Sequence, residues 1–372
     1  MPELFYVANV RLPTEKAHGI QIMKTCEALA AEGVALTLII PRRHNPITED
    51  PFSFYDCKKI FQIKRLPCID IMSISGFGRV GFAIQSATFS FFLFFYVLTK
   101  RKESFLARNV SLAALLSLIS RKIYLELHWL PAKQSLLYKI IFKRISGVIL
   151  ISLGLLHAVR ARGMDGKRIV VIPDAVDVEL FTNVPDQANC RKTLGLPPDK
   201  KIVLYTGHFY AWKGAGLVAQ VAEELSEQVL VCLVGGTEAD RKSFMEKYKA
   251  PNLFFPGWKS PQEIPLWLSA ADVLVLPTSA RDDIGRLYTS PLKLYEYIAS
   301  AKTIVASDVP SNRDVLEEDK AVYFSPDSVE DLKRALRVAL QKNTPPRVVT
   351  NELEKYSWHT RAKKITQFIF PI

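Results

Sequence analysis

Thirteen short apolar runs, most of them separated by stretches with helical spacing, constrain this 372-residue chain more than any other feature. Seven lie in the first half: LFYVANV, VALTLII, FQIKRL, SFLARN, IYLELH, GVILIS and RIVVIP. Six follow: KIVLYTG, VLVCLVGG, NLFFPG, DVLVLP, TIVAS and AVYFS. Between them GIQIMKTCEALAAEG keeps Ile22, Met23, Cys26 and Leu29 on one helical stripe, with Gly33 placed to end it. Runs apolar on both faces, alternating with amphipathic helices, predict parallel sheets covered by helices. The segment TNVPDQANCRKTLGLPPDKK is polar and carries three prolines, so it reads as a linker. The expected fold class is therefore α/β: two doubly wound parallel-sheet domains, residues 1–182 and 202–355, joined by 183–201. Such sheets bind ligands at the carboxyl ends of their strands, and two facing sheets make a cleft.

Composition narrows the partners. A net charge of +12 points to an anionic one, which leaves nucleic acid, a membrane surface or a phosphorylated ligand. The five cysteines, Cys26, Cys57, Cys68, Cys190 and Cys232, are scattered without metal spacing and suit a reducing compartment. The start, MPELFYVANV, runs straight into a strand, and we expect no secretory leader. From Val80 to Leu98 there are 19 residues without a charge, flanked by Arg79 and by Lys100, Arg101 and Lys102. That length suffices to span a bilayer. Gln85, Ser86, Thr88 and Ser90, and the strands on both sides, favour a helix covering the sheet with one face turned to lipid. The segment 131–146 adds a basic amphipathic helix: Leu136, Leu137, Ile140, Ile141 and Ile145 amid Lys133, Lys139, Lys143 and Arg144. Two ordinary sheet-covering helices would show the same pattern.

The candidate chemistry lies just after strands. In YTGHFYAWKGAGL a strand ends at Gly207, His208 follows, and Lys213 precedes a helix start, which makes an anion site or an ordinary strand-to-helix loop. In YTSPLKLYEYIAS, Ser290 fits a helix cap and Pro291 the first helical position. Glu296 projects away from Leu294 and Ile298, as a solvated glutamate or as a carboxylate accepting two hydroxyl hydrogen bonds. A nucleotide ribose beside its diphosphate has the shape that the second reading requires. In NVRLPTEKAHGIQ, Arg11, Lys16 and His18 suit phosphate or an anionic acceptor, and Gly19 admits a close approach at a helix start. IYLELHWLP runs out of a strand into Glu126, His128 and Trp129, where His128 can meet a substrate hydroxyl or phosphate. There is no Walker sequence, no Gly-x-Gly-x-x-Gly and no histidine cluster, and Asp282-Asp283 lacks the Asp-x-Asp form, so no metal is implied.

In order along the chain, PTEKAHGIQIMKTCEALA, ELHWLP, VVIPDAVDVELF, YTGHFYAWKG, FPGWKSPQEIPLWLSAADVLVLPTS, YTSPLKLYEYIASAKTIVASDVPSNRDVL and YSWHTRAKKI resemble retaining glycosyltransferases of the GT-B fold, the fourth family in the usual classification. The resemblance implies two Rossmann-like domains facing across a cleft, with residues 356–372 crossing back to the first. It implies a nucleotide-sugar donor on the C-terminal side, held by Gly19, Gly207, Gly257, Trp258, Ser290, Pro291, Leu292, Lys293 and Glu296. Glu296 matches the ribose-binding carboxylate, and Lys213 with His208 the pair that grips the diphosphate. His128 matches the cleft histidine near the transferred sugar, and Arg11, Lys16 and His18 are acceptor-side candidates. Two departures stand out: Tyr288 occupies a position where many members carry glutamate, and His208 one where others carry arginine. The expected reaction is metal-independent transfer of a sugar, with retention, from a nucleoside-diphosphate sugar to a glycan or lipid-linked acceptor. No cofactor beyond that substrate and no nucleic-acid partner is expected. The expected location is cytoplasmic, peripheral on the inner face of the plasma membrane. The rival readings are a sugar-nucleotide epimerase of similar fold and a basic nucleic-acid-binding protein.

Overall fold

The computed structural model describes residues 1–72, 78–131, 136–164, 168–341 and 350–371. Lys133, one of the cations read into the basic amphipathic segment, lies outside them, as does Ile372. The chain divides into two units: Met1–Pro173 with Trp358–Ile372, and Asp174–Ser357.

The first unit is built on seven parallel strands: β1 (Glu3–Val7), β2 (Ala35–Pro41), β3 (Gln62–Leu66), β4 (Ser104–Ala107), β5 (Ile123–Leu127), β6 (Gly147–Leu150) and β7 (Arg168–Val171). Their order in the sheet is β3-β2-β1-β4-β5-β6-β7, so the topological switch lies between β1 and β4. Side chains alternate across it. Leu4 and Tyr6 pack with Ile22, Met23, Cys26 and Leu29 of helix α1 (Ala17–Ala31). Phe5 points the other way, stacking on Phe105 at 5.3 Å and meeting Tyr96 edge-on. Tyr96 belongs to α2 (Gly78–Leu98), which packs on α3 (Val110–Leu116), which in turn packs on α4 (Leu136–Arg144). The last helix of the chain lies against α1 and adds Ala362, Ile365 and Ile369 to its core.

The second unit holds six parallel strands: β8 (Lys201–Thr206), β9 (Val229–Val234), β10 (Leu253–Gly257), β11 (Val273–Leu276), β12 (Thr303–Ser307) and β13 (Ala321–Phe324). Their order is β10-β9-β8-β11-β12-β13. All thirteen runs read from sequence are strands; the central ones are buried on both faces and have no polar alternation to disguise them.

The segment read as a linker is not one. Residues Gln187–Leu194 form α5, capped by the Asp186 side chain accepting from Asn189 N and ended by Gly195 at φ +65°. Cys190 is fully buried against Trp267 and Leu268 of α7 (Ile264–Ala270). Arg191 is also buried, donating to the carbonyls of Ala270, Pro198 and Lys200 and pairing with Asp272 at 2.7 Å. The segment looks polar because only these two residues of the helix are buried. The remaining helices used below are α6 (Ala215–Ala222), α7 (Ile264–Ala270), α8 (Leu292–Ala299), α9 (Val329–Gln341) and α10 (Trp358–Ile369). Val203, Tyr205, Val231 and Leu233 pack under α6 and α9, while Ile202, Leu204, Cys232 and Val234 face α7 and α8.

Candidate active site

In the second unit the tips of three adjacent strands carry glycines, Gly207, Gly235 and Gly257, at φ +122°, +119° and +81°. Gly207 N donates to Val234 O and Gly235 N to Gly257 O, both at 2.8 Å. A Cβ on Gly235 would lie 2.4 Å from Gly207 O, so the strand tips can meet this closely only without a side chain there. Trp258, next to Gly257, is partly exposed.

The loop after Gly207 carries the cationic side of the site. His208 is buried and stacks on Tyr210, with 5.2 Å between ring centres and 13° between planes. Tyr205 Oη donates to His208 O at 2.7 Å and fixes the start of the loop. One 3-10 turn, Ala211–Lys213, then leads through Gly214 at φ +74° into α6. A Cβ on Gly214 would lie 1.8 Å from Pro277 O, so no other residue fits this turn. The Lys213 ammonium lies 5.3 Å from the Trp212 ring centre and 5.7 Å from that of Tyr210.

Helix α8 brings the remaining groups. Its cap residue is Pro291, and its first helical residue is Leu292, one position later than read from sequence. The Ser290 hydroxyl does not cap it: it accepts from Asp174 N at 3.0 Å and shares a hydrogen bond with Tyr295 Oη at 2.9 Å. Glu296 is half-buried on α8, with buried residues on either side of it. Leu294 and Tyr297 pack into one core cluster, Tyr295 and Ala299 into another, and Lys293 is buried. Tyr297 Oη accepts from Thr206 N at 2.9 Å, which pins the helix to the end of β8. The Lys293 ammonium lies 3.6 Å from the Tyr205 ring centre, in the space beside the missing Cβ of Gly207.

Lys213, Lys293 and Glu296 are close enough to perturb one another. Burial pushes the Glu296 carboxyl up to about 7, against the pull of Lys293 and Lys213. Burial lowers Lys213 to about 8, with Glu296 opposing. Lys293 falls well below the ordinary lysine range, through burial first and the charge of Lys213 second. Two amines held close together, each harder to charge than in water, are better satisfied by an anion than by the one carboxylate beside them. Among the described residues no group of three or more His, Cys, Asp or Glu is placed to hold a metal ion.

The first unit gathers a second set of groups around Glu126, which is fully buried on β5. Its carboxylate accepts from Tyr6 Oη at 2.5 Å, Gln21 Nε2 at 2.8 Å and Arg361 Nη2 at 2.5 Å. His128 Nε2 stands 3.3 Å from the same carboxylate. Desolvation works against the charge on Glu126, but Arg361 and then His128 outweigh it and hold the carboxyl well below its usual range. Arg361, on α10, also donates to Pro173 O and Thr25 Oγ1. Arg108 donates to Tyr6 Oη and Gln21 Oε1, closing the network.

Gly19 sits in the first turn of α1, where a Cβ would lie 2.0 Å from Tyr55 Oη. That hydroxyl accepts from Thr14 N and donates to Thr14 O, so packing inside the unit already demands glycine there. Arg11 and His18 are partly exposed and Lys16 is exposed. The structure brings Lys213, Lys293 and Glu296 together and places His128 beside Glu126. The sequence reading missed Glu126 and Arg361 as a pair. The one local signal was a carboxylate inside the fully buried run IYLEL, which requires a buried partner.

The family model for glycosyl transferases group 1 matches residues 186–356, which lie within the second unit. A D-inositol 3-phosphate glycosyltransferase of Xylanimonas cellulosilytica is 30% identical over 174 residues, 43% of this chain and 40% of that protein. The chain thus spans less than half of that curated relative. Among solved structures, sucrose-phosphate synthase from Thermosynechococcus elongatus superposes over 99% of this chain and 98% of its own, with a TM-score of 0.79 and 17% identity. Anabaena HepE, solved in complex with UDP and glucose, covers 100% of both chains with a TM-score of 0.76 and 14% identity. At these identities the superpositions establish the fold, the two-sheet α/β architecture of GT-B type. Through its second unit the chain is similar to the glycosyl transferases group 1 family.

Proposed function

We propose that the chain is a glycosyltransferase that moves a sugar from a nucleoside-diphosphate donor to a hydroxyl of a glycan or lipid-linked acceptor. The observation that carries this reading is the cluster of Lys213, Lys293 and Glu296 beside the glycine-lined tips of β8, β9 and β10. The bond between the anomeric carbon and the diphosphate oxygen breaks, and the acceptor oxygen bonds to that carbon. Its proton leaves with the diphosphate or to solvent. Charge develops on the departing diphosphate, where the two ammonium groups would receive it without a metal cofactor. Glu296 would accept hydrogen bonds from the ribose hydroxyls, and the Gly257-Trp258 corner would take the base. Retention at the anomeric carbon follows the family resemblance, as does the assignment of His128 to the transferred sugar and of Arg11, Lys16 and His18 to the acceptor side. The cytoplasm is the compartment of choice, since all five cysteines are free thiols.

The test is thermal stabilisation by a panel of nucleoside diphosphates and their sugars, with the HepE complex placing uridine diphosphate first. A ligand at about 100 times its Kd stabilises by about 2.7 kcal/mol. Stabilisation by at least one nucleoside diphosphate, but not by its free nucleoside at the same concentration, is the expected result. A panel that shifts nothing overturns the reading.

A further inference from the structure

Helix α2 joins two properties that the transferase chemistry does not use. Gly81, Gln85, Phe89, Leu93 and Val97, one residue in every four, are buried. Side chains fix the helix to its own unit. Gln85 Nε2 donates to Asn9 Oδ1 at 3.0 Å, Asn9 Nδ2 to Ser86 Oγ at 2.9 Å, and Ile69 N to Thr88 Oγ1 at 3.0 Å. A helix bonded in this way to its unit lies along it and does not cross a bilayer as a separate span. Away from the buried stripe, Val80, Phe91, Phe95 and Leu98 fall within about a quarter-turn of one another. They are 59%, 58%, 54% and 43% exposed. Phe91 and Phe95 are in edge contact at 4.9 Å, and Phe92 touches Phe91 at 5.5 Å. Along the row of helices α2, α3 and α4, Leu118 and Ile140 add further exposed apolar surface. Clustered exposed phenyl rings of this kind mark an interaction site.

Charge decides the partner. Residues 71–164 contain 13 lysines and arginines and only two acids, Glu103 and Glu126, so this stretch carries +11 of the chain's +12. Glu126 is fully buried and paired with Arg361. Arg79 in the first turn of α2, Arg101 and Lys102 just beyond its last residue, and Lys139, Lys143 and Arg144 on α4 are all exposed. A second copy of the chain would set like charges against each other, and nucleic acid offers nothing for the phenyl rings. A lipid leaflet with anionic headgroups satisfies both.

We propose that this face is a membrane-docking surface: α2 lies flat in an anionic leaflet with Phe91, Phe92 and Phe95 below the headgroups and the flanking cations among them. The inference extends the lipid-linked-acceptor reading, but vesicle binding needs no donor, acceptor or turnover, so the two fail separately. The experiment is co-sedimentation of the full chain with phosphatidylcholine vesicles, with and without phosphatidylglycerol, at low and high salt. Partition at least tenfold stronger onto the anionic vesicles is expected, weakening with salt. Phe91→Ser with Phe95→Ser should lower it at least tenfold with the thermal transition unchanged, since both side chains are exposed. Arg101→Glu with Lys102→Glu should reduce the preference for anionic lipid. The proposal is overturned by no binding to anionic vesicles at low salt, or by binding that the two serine substitutions leave unchanged. A dimer that those substitutions dissolve, without any vesicle binding, also overturns it and assigns the face to a second copy.

Discussion

Replacing Lys213 with alanine is expected to lower kcat/KM for the donor by about 10² to 10³, the cost of removing one preorganised group that stabilises developing negative charge. The fold should survive, because the side chain is partly exposed and the turn is set by Gly214 and Tyr210, not by the ammonium. Lys213→Arg separates charge from mere bulk. In the free enzyme Lys213 loses its proton near pH 8, so kcat/KM should fall as pH rises through that value. A guanidinium stays protonated, and the arginine variant should hold its remaining activity to higher pH. Glu296, pushed up to about 7, sets the opposite limb: below that pH the carboxyl is neutral and grips hydroxyls less well. The stability consequence has the same origin. Between 4.5 and about 7 the folded chain keeps a proton on Glu296 that the unfolded chain releases, so this group's contribution declines as pH rises through that window. An alanine variant with unchanged kcat/KM would remove Lys213 from the site.

Replacing Arg361 with methionine should destabilise the first unit by about 3–5 kcal/mol, because it leaves the Glu126 carboxylate buried without its cation. For a unit of this size that lowers Tm by about 10 °C. Glu126→Gln added to the same chain should recover much of the loss. A neutral amide carries no buried charge and can still bond Tyr6 and Gln21. Differential scanning calorimetry of the single and double variants reads the coupling directly. A loss below about 1 kcal/mol in the single variant would mean that water reaches Glu126 and that α10 is held by apolar packing alone.

The two sheets were legible because each central strand is buried on both faces and must be apolar throughout. What the sequence concealed depends on contacts that pattern cannot display. Helix Gln187–Leu194 turns only Cys190 and Arg191 inward, so its polar remainder passed for a linker. Ser290 has the chemistry of a cap, yet its hydroxyl is engaged by Asp174, more than a hundred residues earlier in the chain. Gly19 reads as room for a ligand, and Tyr55 fills that room. Glu126 and Arg361 meet across 235 residues, a separation at which no local periodicity carries information. The place of Glu296 after a helix start marks it as a candidate in the sequence. What makes it unusual, two lysines and a buried setting, came only from the fold.

On the proposed function the Glu296 carboxylate, beside two amines, holds a ribose next to its diphosphate. Calorimetric titration of the wild-type chain and of Glu296→Ala with a ribonucleoside diphosphate and its 2′-deoxy counterpart tests it most directly. A charge-assisted hydrogen bond to one hydroxyl is worth about 1.5–3 kcal/mol, so the wild type should prefer the ribose form by about tenfold or more, and Glu296→Ala should lose that preference. Equal affinities in the wild type, or a preference that survives the alanine substitution, would show that Glu296 does not hold the ribose.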